Sequence, residues 1–258
     1  MVDIIIRAKN GHDLTRACID SIVKNTPDSY RLILVDDGSS TFQDASECDY
    51  YVRSSESRGA VTATNLGLAI ALQLSGDYVI VLDNDTRVPD GDKTWLDRWI
   101  GELEQAGPET AAIGATTNFA NPPQHILTVP QTYTADWRNE GKAGEKNNPP
   151  VRWFVSFAVL LRKSALRVCG LWDEQFNPGN WEDTDYAITL RKSGFQIRVA
   201  RSVYIHHDGH KTFGKDLHQL LATNKEKFLR KWGIGCVWDM GLLSNEEMSG
   251  VLRGMAKK

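Results

Sequence analysis

Three short apolar runs, at residues 2–6, 31–35 and 78–82, each give way to a polar cluster. After the first stand Arg7, Ala8, Lys9 and Asn10; after the second, Asp36, Asp37, Gly38, Ser39 and Ser40; after the third, Asp83, Asn84 and Asp85. Carboxylates crowded at one edge repel each other unless a cation or a ligand donor sits among them. One carboxylate can accept the imide N–H of uracil or thymine, a second can take ribose hydroxyls, and a third can hold a divalent metal that neutralises a diphosphate. Asp37, Asp83 and Asp85 suit those three tasks. A lone aspartate at such a place more often caps the following helix or turn, but two aligned clusters ask for a ligand.

Two further constellations lie in the second half. The run WEDTD at 181–185 sets Glu182 and Asp183 immediately before a predicted helix, where the N-terminal dipole favours a carboxylate and lowers its pKa. Such a group can take a proton from an attacking hydroxyl; capping by either carboxylate, or by Thr184, is the plainer role. Asp185, directed into the first turn, reads as structural. His206, His207 and His210 put three of the six histidines within five residues, which suits a metal as well as it suits a hydrogen-bond network. Of the eight tryptophans, Trp181 stands beside the carboxylates and can offer its face to a sugar ring, whereas Trp153 and Trp172 read as core.

The elements that carry these residues are set by periodicity. The three apolar runs read as buried strands. Between the first two, Leu14, Cys18 and Ile22 recur at helical spacing, with Pro27 as a stop; between the second and third, Leu66, Ala69, Ile70 and Leu72 form another helical stripe. Alternating strand and helix predict an α/β fold with a parallel sheet and right-handed crossovers. Ligands bind such a sheet beyond the carboxyl ends of its strands, where the acidic clusters fall. Beyond Pro89 the pattern predicts a helix over 95–105, a strand over 111–115, and a loop over 118–150 whose five prolines mark it as a lid. A strand over 152–161, a helix over 184–192, strands over 196–199 and 203–206, and a helix over 216–232 complete the prediction.

With 258 residues, 41% hydrophobic and 24% charged, the chain is neither disordered, nor collagen-like, nor a disulfide-built miniprotein. Thirty basic against 33 acidic residues, a net charge of -3, give no electrostatic footprint for nucleic-acid binding. No G-x-G-x-x-G follows the first strand and no P-loop occurs, which argues against a dinucleotide dehydrogenase and a P-loop NTPase. No apolar run approaches the roughly 18 residues of a membrane span, the N-terminus lacks a signal-peptide layout, and Cys18, Cys48, Cys169 and Cys236 are scattered. The expectation is a cytoplasmic protein with free thiols. Lys225, Lys227, Arg230 and Lys231 on the last helix offer peripheral contact with the inner face of a membrane, as an alternative to packing on the core.

The ordered pieces VDDGSS (35–40), SRGAVTATNLGL (57–68), VLDNDT (81–86), GLWDEQFNPGNWEDTDYAITLRKSGF (170–195) and HHDGHKTFG (206–214) make the sequence resemble the inverting, rhamnosyltransferase-like family 2 glycosyltransferases. The resemblance implies the GT-A fold, a Rossmann-like, mostly parallel central sheet flanked by helices. It implies a domain over 1–214, with a nucleotide-binding half (1–88), an acceptor half (89–214), and a helical tail (215–258) packed on the domain. Carried over residue by residue, it puts Asp37 on the base, Asp83 near the ribose, Asp85 on the metal, and Arg58 and Asn65 near the nucleotide. Asn84, in the middle of the D-x-D-like triplet, joins the nucleotide-sugar side without touching the metal. Many relatives have P-T-Y-N where this chain has Arg7, Ala8, Lys9 and Asn10, a departure from the family pattern at the edge where base and phosphate are contacted; Arg7 is placed in the nucleotide-sugar set.

By the same resemblance Asp183 is the base, Glu182 and Trp181 bind the acceptor, and counting back from Thr212 and Phe213 selects His207 as metal ligand, with His206 as runner-up. An imidazole beside a carboxylate and diphosphate oxygens suits manganese better than magnesium. Lys211 is placed for a phosphate contact or for none. The implied activity is metal-dependent transfer from a UDP- or dTDP-linked sugar to a hydroxyl of a glycan, lipid-linked, protein or small-molecule acceptor. The rivals are a nucleotidyltransferase that makes nucleotide sugars, which would want a Gly-rich loop in place of RAKNGH, and a non-catalytic sugar- or nucleotide-binding module of the same fold.

Overall fold

The computed structural model describes residues 1–27, 29–121, 123–126, 150–209, 217–233 and 235–236. The chain divides into two compact units, Met1–Gly214 and Lys215–Lys258. In the second unit, one helix spans Leu217–Trp232. Most of the proposed lid, residues 127–149, and His210, Lys211, Thr212 and Phe213 lie outside the described residues.

The first unit is built on strands β1 (Val2–Ala8), β2 (Tyr30–Asp36), β3 (Tyr50–Arg53) and β4 (Tyr78–Asp83), a short β5 (Thr86–Arg87), then β6 (Thr110–Thr116), β7 (Ala158–Arg162), β8 (Gln196–Tyr204) and β9 (His206–His207). Seven of them form one sheet in the order β3-β2-β1-β4-β7-β6-β8, and β5 pairs with β9 in a separate ribbon. Within that sheet β7 alone runs against its neighbours; β1 is parallel to both β2 and β4. Every residue of β1 is buried because both faces of the sheet are covered. Ile4 and Ile6 join Cys18, Ile19 and Ile22 of helix α1 (His12–Asn25) and Trp95 and Trp99 of helix α3 (Trp95–Gln105) in one core. Ile5 meets helix α2 (Ala60–Gln73) so closely that a Cβ on Gly67 would stand 2.6 Å from its Cγ2.

The chain leaves β1 for β2 on one side and later returns as β4 on the other, which opens a crevice at the carboxyl ends of these three strands. Helices α4 (Lys163–Cys169) and α5 (Glu182–Lys192), with a 3-10 turn at Glu174–Phe176, complete the first unit after β7.

The periodic reading needs three corrections. The strand predicted over 152–161 is regular only from Ala158, because the residues before it give their backbone groups to side chains: Gln124 bonds both the N–H and the C=O of Val155, and Arg7 takes the Ser156 carbonyl. The separate strands at 196–199 and 203–206 are one strand, Gln196–Tyr204, with register shifts against β6, and His206 belongs to the ribbon. Four elements lie beyond the prediction: strand β3, four residues at the sheet edge, the two-residue β5, the 3-10 turn, and α4, which succeeds β7 without a turn signal.

Candidate active site

Arg7 lies near the carboxyl end of β1, between β2 and β4. It is the sixth residue of β1, paired in register with Asp83 of β4, and its guanidinium is buried. Nε bonds Asp83, Nη1 donates to Thr64 Oγ1 at 2.9 Å, and Nη2 donates to Ser156 Oγ at 2.9 Å and to the Ser156 carbonyl at 3.1 Å. Burial alone would lower its pKa, but Asp83 first, then Glu182 and Asp183, hold the charge in place and raise it. One cation therefore serves carboxylates from both halves of the domain.

Asp83, Asp85 and His207 each offer a ligand atom within 4.8 Å of the others. The ribbon makes this possible: Thr86 pairs with His207, and the Asp208 N–H donates to the Asp85 carbonyl at 3.0 Å. His207 Nδ1 lies 2.8 Å from the Phe119 carbonyl, an acceptor that fixes Nδ1 as the N–H side and aims Nε2 at Asp85 Oδ1, 3.3 Å away. The ring is stacked on Phe157 with centroids 4.9 Å apart. Burial opposes the charge on both partners, yet the pair prevails: the Asp85 pKa is lowered by His207 and the His207 pKa raised by Asp85 and Asp83. The side chains keep 30% (Asp83), 10% (Asp85) and 12% (His207) of their exposure, so the cluster is reachable from solvent.

Two carboxylates and an imidazole with its second nitrogen anchored are the donor set of a divalent transition ion, and Asp83, Asp85 and His207 would hold one. His206 is placed otherwise, with Nε2 on Asp208 at 3.1 Å and Nδ1 near the Tyr204 hydroxyl. Asn84 turns toward α1, donating to Thr15 Oγ1 at 2.9 Å.

Glu182 and Asp183 open α5 rather than preceding it. The residue before them, Trp181, is left-handed (φ 74°), as is Asn180 (φ 68°), a conformation that strains non-glycine residues and recurs at functional sites. Here the pKa expectation is overturned. Burial, reinforced by the Asp183 charge, pushes Glu182 up to about 8, and burial also raises Asp183 against the bonds from Thr184 and Ser156 and the charge of Arg7. Desolvation beats the helix dipole. Glu182 is buried, with Oε2 lacking a hydrogen-bond partner, whereas Asp183 is half-buried and accepts from the Thr184 N–H at 2.7 Å and the Ser156 N–H at 3.4 Å.

A carboxyl group whose pKa is raised by folding makes stability fall with pH: its contribution is full below about 4.5 and is lost as pH rises toward 8. Glu182→Gln therefore gains on the wild type between pH 5 and pH 8, at a limiting slope of about 1.4 kcal/mol per pH unit. Denaturant midpoints of the two metal-free proteins across that range check this. A constant difference would mean that Glu182 ionises freely.

The other predicted residues have structural partners of their own. Asp37 accepts from Ser57 Oγ (2.7 Å) and from the N–H groups of Arg58 (2.7 Å) and Gly59 (3.0 Å), while Asp36 holds its own turn through Ser39 and Tyr51. The turn passes so near residues 56–57 that a Cβ on Gly38 would lie 2.4 Å from the Glu56 carbonyl carbon. Asn65 brackets Trp172 through both its N–H and its C=O, Arg58 is exposed and 4.0 Å from Glu174, and Trp181 is half-buried. Trp172 is buried and stacked on Tyr186; Trp153 is only half-buried. Ser156, Thr64 and Phe157 are site residues that the sequence does not flag, each being a common residue type with no spacing signal.

A family model described as glycosyl transferase family 2 matches residues 3–168. No curated protein is a significant match to the sequence. Among solved structures, GalNAc-T7 with UDP, GalNAc and Mn2+ superposes with a TM-score of 0.61 at 15% identity, over 80% of this chain and 43% of that one. Mannosyltransferase PcManGT from Pyrobaculum calidifontis, in complex with GDP-Man and Mn2+, gives 0.59 at 16% identity, over 99% and 75%. S. aureus TarS gives 0.57 at 14% identity, over 88% and 39%, so the chain spans less than half the length of the first and last of these three. At such identities the likeness is one of fold, and that fold is GT-A. The matched span is more than half of the 258 residues, it includes the strand-end carboxylates Asp37, Asp83 and Asp85, and the chain belongs to glycosyl transferase family 2.

Proposed function

We propose that the protein transfers a sugar from a nucleoside diphosphate sugar, UDP- or dTDP-linked, to an acceptor hydroxyl with inversion, using a divalent cation, manganese ahead of magnesium. The observation that carries this reading is the Asp83–Asp85–His207 cluster joined through Arg7, which bonds Asp83 and feels the charges of Glu182 and Asp183, to that second carboxylate pair. Neighbours bound to UDP or GDP-Man together with Mn2+ support the donor class. When bound, the cation supplies charge neutralisation for the departing diphosphate.

The chain's own residues do the rest. Asp83, held through Oδ1 by Arg7, keeps Oδ2 for a ribose hydroxyl or the cation. Asp37 holds the loop at 57–59 and faces the base from the end of β2. Asp183, the more open carboxylate, takes the acceptor hydroxyl's proton, and its raised pKa brings it closer to the working pH of a base. The Arg7 charge favours the ionised form of that carboxylate against its burial, while burial and the Asp183 charge push Glu182 up to about 8, so that it can donate a hydrogen bond to the acceptor. Trp181 offers its ring face to the acceptor, a glycan, lipid-linked, protein or small-molecule hydroxyl.

Release of nucleoside diphosphate from a panel of nucleotide sugars, with manganese and with chelator, tests the reading. At least one donor is expected to be turned over, and only with metal. Absence of both turnover and thermal stabilisation across the panel would contradict it.

A further inference from the structure

Helix α2 begins without a cap of its own. Its N-cap residue is Gly59, which has no side chain to accept the first N–H groups. Those groups are satisfied from the other half of the domain. Asn177 Oδ1 accepts from the N–H of Val61 at 3.1 Å and of Thr62 at 3.3 Å, and the Pro178 carbonyl accepts from the N–H of Ala60 at 2.9 Å. Asn177 Nδ2 donates to Thr62 Oγ1 at 2.7 Å, which fixes the orientation of the amide. Gly59 is what makes room: a Cβ there would stand 2.4 Å from Asn177 Oδ1. The Gly59 N–H goes the other way, to Asp37.

The segment that caps α2 runs directly into the carboxylate pair. Pro178 and Gly179 lead to the two left-handed residues Asn180 and Trp181, and Glu182 and Asp183 come next. A strained turn holds one conformation only when its surroundings over-determine it, and the α2 N-terminus grips this segment at its first two residues. We propose that Asn177 is a positioning residue, which sets the place of Glu182 and Asp183 by capping α2 from across the fold. The inference rests on the reading of that pair as acceptor-side catalytic groups.

The test compares Asn177→Ala with Asn177→Asp, which keeps an oxygen acceptor whose charge suits a helix N-terminus. Hydrogen exchange across residues 179–186 is expected to rise in Asn177→Ala and to return to the wild-type level in Asn177→Asp. Turnover at saturating donor is expected to fall by roughly 10- to 100-fold in the alanine variant with donor affinity unchanged, and to recover in the aspartate variant. Unchanged exchange at 179–186 in Asn177→Ala overturns the proposal, as does a turnover loss that Asn177→Asp fails to rescue. Should the alanine variant not fold, Asn177→Gln, whose amide sits one methylene beyond the reach of the α2 N–H groups, is expected to raise exchange in the same peptide, and no rise overturns the proposal. Exchange is read without turnover. A wild type that transfers no sugar would therefore sink the functional reading while the role of Asn177 was still decided.

Discussion

Asp183→Asn is expected to lower transfer by about 100- to 10,000-fold while leaving donor binding intact. The amide keeps the shape of the side chain and its Oδ1 can still accept from the Thr184 N–H, so the start of α5 survives. It cannot take the acceptor's proton. The local charge also changes in a way that favours the fold, because the amide brings no charge that burial must oppose beside Glu182. The loss is therefore expected in turnover and not in denaturation midpoints. Glu182→Gln is the control: if it loses more turnover than Asp183→Asn at saturating acceptor, the base is the neighbour. If both variants keep near-normal turnover, the pair only caps α5.

Asp85→Asn and His207→Ala act on the other step. Replacing groups around a bound metal costs roughly 10- to 100-fold in affinity even when they only orient the ligands, so removing a ligand is expected to cost at least that much. Titration of the donor nucleotide with manganese and with chelator should show the metal-dependent part of the affinity vanish in both variants, with the metal-free part unchanged. His206→Ala, whose ring is engaged by Asp208 and Tyr204, should leave the titration as it is. Loss of metal dependence in His206→Ala and not in His207→Ala would reassign the ligand.

The strand-end carboxylates are legible in the sequence because their signals are local. Buried parallel strands are continuous apolar runs, and the residues just after each run are the ones the sheet presents at its carboxyl edge; Asp37, Asp83 and Asp85 can be read off in that way. The meeting of Asp85 with His207 has no such signal, since β5 and β9 are two residues each and too short for any periodicity; the family resemblance supplies it.

Arg7 is legible as unusual but not as central, because its four hydrogen bonds reach three other parts of the chain. The pKa of Glu182 departs from the sequence-based expectation for a physical reason. The helix dipole is visible in sequence, and the burial that outweighs it is not. Asn177 is an ordinary turn residue in sequence, and only the bare N-terminus of α2 gives it a task.

The stereochemistry of the product tests the account most directly. With the best donor of the panel and manganese, proton NMR of the first sugar product, formed on water or on an acceptor, reports the anomeric configuration before it equilibrates. A single carboxylate base opposite the diphosphate predicts inversion, so that an α-linked donor gives the β product first. A first-formed product with the donor's own configuration would contradict the role assigned to Asp183.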